Sequence, residues 1–100
     1  MAAKNIVEID SDLKEIMAPF LVNREKDMTS ITEFLASNKI KEIEVLAHKI
    51  AGNAGGYGLP DLGKMGKAME YAAQKSDIEN IKKLHQQMKQ YLKDLEIKFV

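Results

Sequence analysis

Apolar residues recur every three or four positions through most of the chain, which is the spacing of helices with one buried face. Glycine, proline and short polar stretches interrupt this pattern and predict four long helices, over about 19–36, 40–55, 60–74 and from 78 to Leu95 or beyond. The connections are short, so consecutive helices should be neighbours. The pattern therefore predicts an all-α fold, an antiparallel up-down four-helix bundle.

The N-terminal stretch is less regular than the rest. Residues 5–9 alternate in the manner of a strand, but no such alternation persists elsewhere. Asp10 and Ser11 can cap a short extra helix over about 11–17, which Pro19 should end because a proline steers the preceding residue away from α conformation.

At the start of the last helix, Ser76-Asp77-Ile78-Glu79 has the form of a capping box.

Composition narrows the class of protein. The chain has 100 residues, 45% of them hydrophobic, with 15 basic and 15 acidic side chains and no cysteine. This predicts a single domain over residues 1–100 that is neither a general nucleic-acid binder nor a disulfide or Cys-ligated zinc protein. No apolar run approaches the ~20 residues of a membrane span, and no signal-peptide pattern opens the chain, so we expect a cytoplasmic protein.

The second long segment carries the candidate chemistry. On a helical wheel of 40–55, His48 points about 140° away from the buried stripe. Gly52, Gly55 and Val45 share its outward side, and Lys41 lies there two turns earlier. Glycine inside a helix costs ~1 kcal/mol relative to alanine, so we interpret these glycines as clearance for a large partner that approaches His48. The alternative is that they only fray the helix into the glycine-rich loop that follows.

The residues around this histidine resemble a known signature. Residues 47–59 read A-H-K-I-A-G-N-A-G-G-Y-G-L, which is similar to the A-H-x-[LI]-K-G-x-[AS]-x-x-[LFVY]-G pattern of histidine-containing phosphotransfer (HPt) domains. The similarity extends from about Asp10 to Val100. It implies that His48 accepts a phosphoryl group and relays it between receiver-domain aspartates in two-component signalling.

The resemblance also implies partners and limits. The partner is a response-regulator receiver domain, a hybrid sensor histidine kinase, or both, and Mg²⁺ is expected on the receiver only. The chain itself is expected to be a monomer without cofactor or metal. It contains no nucleotide-binding motif, so it is predicted to be a relay intermediate rather than an enzyme.

One departure from the signature matters. The family has lysine three residues after the histidine, where this chain has Ala51. Lys41, Lys64 or Lys67 could supply the missing charge, whereas Lys49 lies about 100° around the helix from His48 and is not an obvious replacement. An alternative function is therefore a degenerate, HPt-like adaptor that binds a receiver or another partner without transfer. The predicted phosphoryl and partner face comprises Lys41, Val45, Lys49, Ala51, Gly52, Gly55 and Lys67.

Four other residues are assigned structural roles. Tyr57 is expected to anchor its loop, and Gly66 to permit close helix packing. His85 is expected at the edge of the core with a hydrogen-bond partner. Glu70 falls on the outer flank of its helix, where it should only stabilise the surface. Because His48 and His85 face different ways, no shared metal site is expected.

Overall fold

Four helices dominate the computed structural model, which describes residues 5–100. They are α1 (Lys14–Ala36), α2 (Ile40–Ala54), α3 (Pro60–Gln74) and α4 (Ile78–Asp94). Each helix packs on the next, and α4 also contacts α1, so the four enclose a common core. The helical class and the four long helices are confirmed, while their antiparallel order stays a prediction. Within residues 5–100, no helix combines the length and the apolar character needed to cross a bilayer.

The predicted short helix over 11–17 is wrong. Residues Ser11–Leu13 form a 3-10 turn, in which the Asp10 side chain accepts a hydrogen bond from the Asp12 amide at 2.9 Å. Helix α1 then begins at Lys14 and continues through Pro19. The amide that proline lacks would have bonded to the Glu15 carbonyl. Both residues are exposed, so water can satisfy that carbonyl and the helix persists.

Two short strands lie at the ends of the described chain. Strand β1 (Asn5–Ile9) pairs in parallel with β2 (Leu95–Phe99), in a register that places Asn5 beside Leu95 and Ile9 beside Phe99. The alternation of residues 5–9 is typical of a strand and agrees with β1. At Leu95 the pattern predicts helix, whereas β2 begins there. Helix α4 instead ends at Asp94. Ile9 is buried against the helices, while Ile6 on the other face is 66% exposed.

The start of α4 differs from the predicted capping box. Asp77 is the cap, and its carboxylate accepts a hydrogen bond from the Asn80 amide at 3.2 Å. Ser76 instead has a φ of 54° and lies in the turn that ends α3. The Asp77 amide bonds to the Ala72 carbonyl at 2.9 Å, which closes that turn.

The core lies between the helices and is aliphatic and methionine-rich. Its largest side chains with less than 2% exposure are Met17, Ile31, Ile43, Ile50, Leu59, Leu62, Met69, Ile81 and Met88. Such packing fixes the rotation of each helix about its axis, and therefore which side chains of α2 and α3 meet.

Candidate functional site

Helices α2 and α3 approach each other closely at Gly66, as its sequence position predicts. A Cβ atom at Gly66 would lie 2.9 Å from the Ala51 amide nitrogen and 3.1 Å from the Ala47 carbonyl oxygen. Both are backbone atoms of α2, so only glycine allows this spacing. The contact places the next turn of α3, which carries Glu70, against the turn of α2 that carries His48.

His48 and Glu70 form the central contact of the site. The His48 side chain is 70% exposed, as predicted, and its Nδ1 lies 2.9 Å from Glu70 Oε2. The Glu70 side chain is only 12% exposed. The expectation that Glu70 merely stabilises the surface is wrong, because the close α2–α3 approach covers the flank on which it lies.

This contact determines which ring nitrogen is available for chemistry. An ionised carboxylate can only accept a hydrogen bond, so opposite such a group Nδ1 of His48 carries a proton and donates a hydrogen bond to Glu70 Oε2. In a neutral imidazole the other nitrogen, Nε2, then has a free lone pair. The arrangement can therefore present Nε2 to an approaching group while a buried carboxylate holds Nδ1 and fixes the orientation of the ring.

Lys67 shares the same carboxylate. Its Nζ lies 4.0 Å from Glu70 Oε1 and 5.3 Å from the centre of the Tyr71 ring. Oε1 of Glu70 is buried and finds no hydrogen-bond partner among the described residues. The ammonium of Lys67 is thus the charge that compensates this oxygen, over a distance at the outer limit of an ion pair.

The surface beyond His48 on α2 is bare. Beyond its chain neighbours and the backbone of its own helix, a Cβ atom added at Gly52, Gly55 or Gly56 would meet no atom of the described residues within 4 Å. Gly52 and Gly55 are both exposed, and Val45, one turn before His48, is 46% exposed. Packing within residues 5–100 therefore gives no reason for glycine at 52, which agrees with its interpretation as clearance. Gly55 lies past the end of α2 in a 3-10 turn, so helix ending explains it equally well.

The two remaining lysines of the predicted face lie on the α1 side. Lys41 and Lys49 line a groove of about 280 Å³ between α1 and α2, together with Val45 and Phe34. Lys41 Nζ lies 3.2 Å from Glu44 Oε1. The charge of Lys49 acts on Asp27 of α1, whose pKa is raised by burial against the opposing effects of Arg24 and Lys49.

Ala51 lies apart from this open surface. It is half-buried, and its amide nitrogen and Cα are two of the three atoms nearest to a Cβ added at Gly66. The seven residues of the predicted face thus fall into four groups. Val45, Gly52 and Gly55 form an open strip with His48 at its centre. Lys41 and Lys49 lie toward α1, Lys67 lies on α3, and Ala51 is half-buried in the α2–α3 interface.

Three neighbouring side chains are structural. Tyr57 stacks on Phe20 with ring centres 4.1 Å apart, so it anchors the loop as predicted. Leu59 is fully buried, so it does not belong to the open strip around His48. His85 is buried, and its Nε2 donates to the Met28 carbonyl at 2.9 Å, which confirms its predicted place at the core.

The part of the chain that the structure describes brings together no group of three metal-binding side chains. The expectation that the protein carries no metal or cofactor of its own stays a prediction.

Comparison with known proteins identifies a family for the chain. The family model of the Hpt domain matches residues 15–97, from the first turn of α1 into β2. This match includes His48, Glu70 and Lys67, and it confirms the resemblance noted in the sequence. Searches of curated proteins and of solved structures give no significant match.

Proposed function

This chain belongs to the Hpt domain family, and from that premise we propose that it relays a phosphoryl group between receiver-domain aspartates through a phosphohistidine on Nε2 of His48. The family membership places the chain in phosphotransfer signalling of the two-component type. The observation that supports the finer proposal is the exposed His48 ring, whose Nδ1 is bonded to the buried Glu70.

In the proposed step, Nε2 attacks the phosphorus of an aspartyl phosphate on the partner. The Nε2–P bond forms while the bond from phosphorus to the aspartate oxygen breaks, and the aspartate leaves as a carboxylate with the electron pair. The ring keeps its Nδ1 proton and becomes positively charged. Glu70 stabilises that charge through the existing hydrogen bond, without any rearrangement. Transfer to a second receiver aspartate reverses the same bonds.

The proposal assigns little other chemistry to this chain. Phosphoryl transfer is catalysed mainly by alignment and charge neutralisation, and Mg²⁺ is assigned to the receiver partner. The open strip, with Gly52 and the half-exposed Val45 on either side of His48, offers a surface on which a folded partner can approach Nε2. A segment from 39 to 67 with five lysines and three carboxylates favours encounter with an acidic receiver site.

A label-transfer assay tests the relay. Purified receiver domains from the source organism, each carrying radiolabelled aspartyl phosphate, are mixed with the wild type or with His48→Gln. We expect label on the wild type alone, labile in acid and stable in base. Equal label on both proteins would refute the assignment of His48. Binding of a receiver without any label would instead establish the adaptor function, which the absence of lysine at Ala51 favours.

The role of Glu70 has its own readout. Glu70→Gln keeps an oxygen that accepts from Nδ1 but removes the charge, whereas Glu70→Ala removes both. We expect ¹⁵N chemical shifts of the His48 ring to show mixed tautomers only in the alanine variant, and transfer to slow in both. A residue that only supported the fold would leave the ring tautomer unchanged in both variants.

A further inference from the structure

We infer that Lys67, on the helix facing His48, binds the phosphoryl group and takes the part of the lysine that this chain lacks at position 51. This inference rests on the proposed function and adds to it the residue that holds the transferred group. The juxtaposition that supports it is the sharing of Glu70 between His48 Nδ1 and Lys67 Nζ.

A phosphorylated His48 would be stabilised by a nearby cation. A phosphoryl group brings a charge of about −1.5 to −2 at neutral pH. It would stand on a ring already bonded to the Glu70 carboxylate, so two negative groups would lie at one site. The positively charged ring between them offsets only part of this charge, so a second cation beside the phosphoryl oxygens would stabilise the phosphorylated state.

Lys67 is the lysine of the predicted face that is best placed to contact a phosphoryl group on His48. Its ammonium is 4.0 Å from Glu70 Oε1, and the side chain is 53% exposed. Only the lysine end of this pair is exposed, and 4.0 Å is the outer limit of an ion pair, so the contact holds the ammonium loosely. The ammonium can therefore turn toward phosphoryl oxygens on the neighbouring ring, while the Tyr71 ring, 5.3 Å from Nζ, keeps it on this side of α3.

The other lysines of the predicted face are less suitable. Lys41 lies two turns before His48 and already contacts Glu44 at 3.2 Å. Lys49 lines the groove toward α1, where its charge acts on Asp27. Neither shares a partner with the histidine.

A small phosphodonor separates this role from partner docking. Phosphoramidate transfers its phosphoryl group to Nε2 and releases ammonia, so no receiver surface takes part. Wild type, Lys67→Ala, Lys67→Arg and the matched control Lys75→Ala, an exposed lysine at the end of α3, are labelled with phosphoramidate and with a phosphorylated receiver. Far-UV circular dichroism verifies that all four proteins are folded.

We expect Lys67→Ala to slow labelling by about tenfold to a hundredfold with both donors, as for loss of one charge-assisted contact. Lys67→Arg keeps the positive charge and should retain more of the rate than Lys67→Ala, whereas Lys75→Ala should stay close to wild type. A lysine introduced by Ala51→Lys should restore part of the rate in the Lys67→Ala background.

Two results would overturn the inference. One is an unchanged rate for Lys67→Ala with phosphoramidate, whatever happens with the receiver, because the lysine would then serve docking or nothing. The other is equal slowing by Lys75→Ala, which would indicate a general effect of charge. If wild-type His48 takes label from neither donor, the proposed relay itself fails, which is a distinct outcome.

Discussion

Three glycines near the site should respond to alanine in a graded way. A Cβ atom at Gly52 meets open surface, at Gly63 it makes ordinary contact with the Ala51 carbonyl oxygen at 3.5 Å, and at Gly66 it falls 2.9 Å from the Ala51 amide nitrogen. The same substitution thus samples free space, contact and overlap on two packed helices.

The expected magnitudes follow from these distances. Alanine is favoured over glycine inside a helix by about 1 kcal/mol, so Gly52→Ala should raise the free energy of unfolding by about that much. Gly63→Ala should gain a similar amount because its new methyl packs without strain. At Gly66 the overlap is with backbone, and overpacking of this kind costs about 1–3 kcal/mol. The helix gain offsets part of that cost, which leaves a net loss of up to about 2 kcal/mol.

Urea and thermal unfolding, followed by far-UV circular dichroism, measure these differences. For a domain of this size 1 kcal/mol corresponds to about 4–8 °C in Tm. We expect the 52 and 63 variants above the wild type and the 66 variant below it. A Gly66→Ala protein as stable as Gly52→Ala would refute the close α2–α3 approach, and with it the explanation for the burial of Glu70.

Two further predictions concern function and pH. Gly52→Leu should fold normally but slow transfer from a receiver at least tenfold, because its side chain fills the open surface one turn from His48; a rate equal to that of wild type in the label-transfer assay would show that no partner covers this position. Burial lowers the pKa of His85 below its ordinary value of 6.5, so its contribution to stability is complete above that pH and is lost as pH falls through the lower folded pKa. Urea unfolding between about pH 7 and pH 5 should therefore show a steeper loss of stability for wild type than for His85→Gln, and equal slopes would contradict this account.

The outward side of α2 could be predicted because helix periodicity is local. His48, Gly52 and Val45 follow from the spacing of apolar residues alone, and the exposure of all three agrees with it. The burial of His85 also follows from periodicity, because it lies about 50° from the middle of the apolar stripe of the last helix. Tyr57 is an aromatic residue in a glycine-rich loop, where packing of its ring against the bundle was expected.

Glu70 was misplaced because its environment depends on the distance between two helices. On a helical wheel of α3, Glu70 lies outside the buried stripe, and such a wheel gives no information about the helix that packs against α3. The signal was present one turn earlier, since Gly66 predicts close packing, and close packing buries whatever flanks it. A carboxylate one turn beyond such a glycine, facing a helix that carries a histidine, is the pattern that would have found the pair.

The strand pair and the continuous α1 could not be derived for related reasons. Leu95 continues the apolar spacing of α4, so the pattern predicts helix at the point where β2 begins, and the partner strand lies at the opposite end of the sequence. Pro19 removes one backbone hydrogen bond and crowds the turn before it, and the sequence does not state whether the packing of α1 outweighs that cost.

The parallel arrangement of β1 and β2 has a mechanical consequence. Because the strands run the same way, the chain enters β1 at Asn5 and leaves β2 at Phe99, at opposite ends of the ladder. A force that draws residues 5 and 100 apart along the strands therefore loads the hydrogen bonds together in shear, rather than opening them one after another. The hydrogen bonds between β1 and β2 would therefore have to break together before the applied force reached the helices.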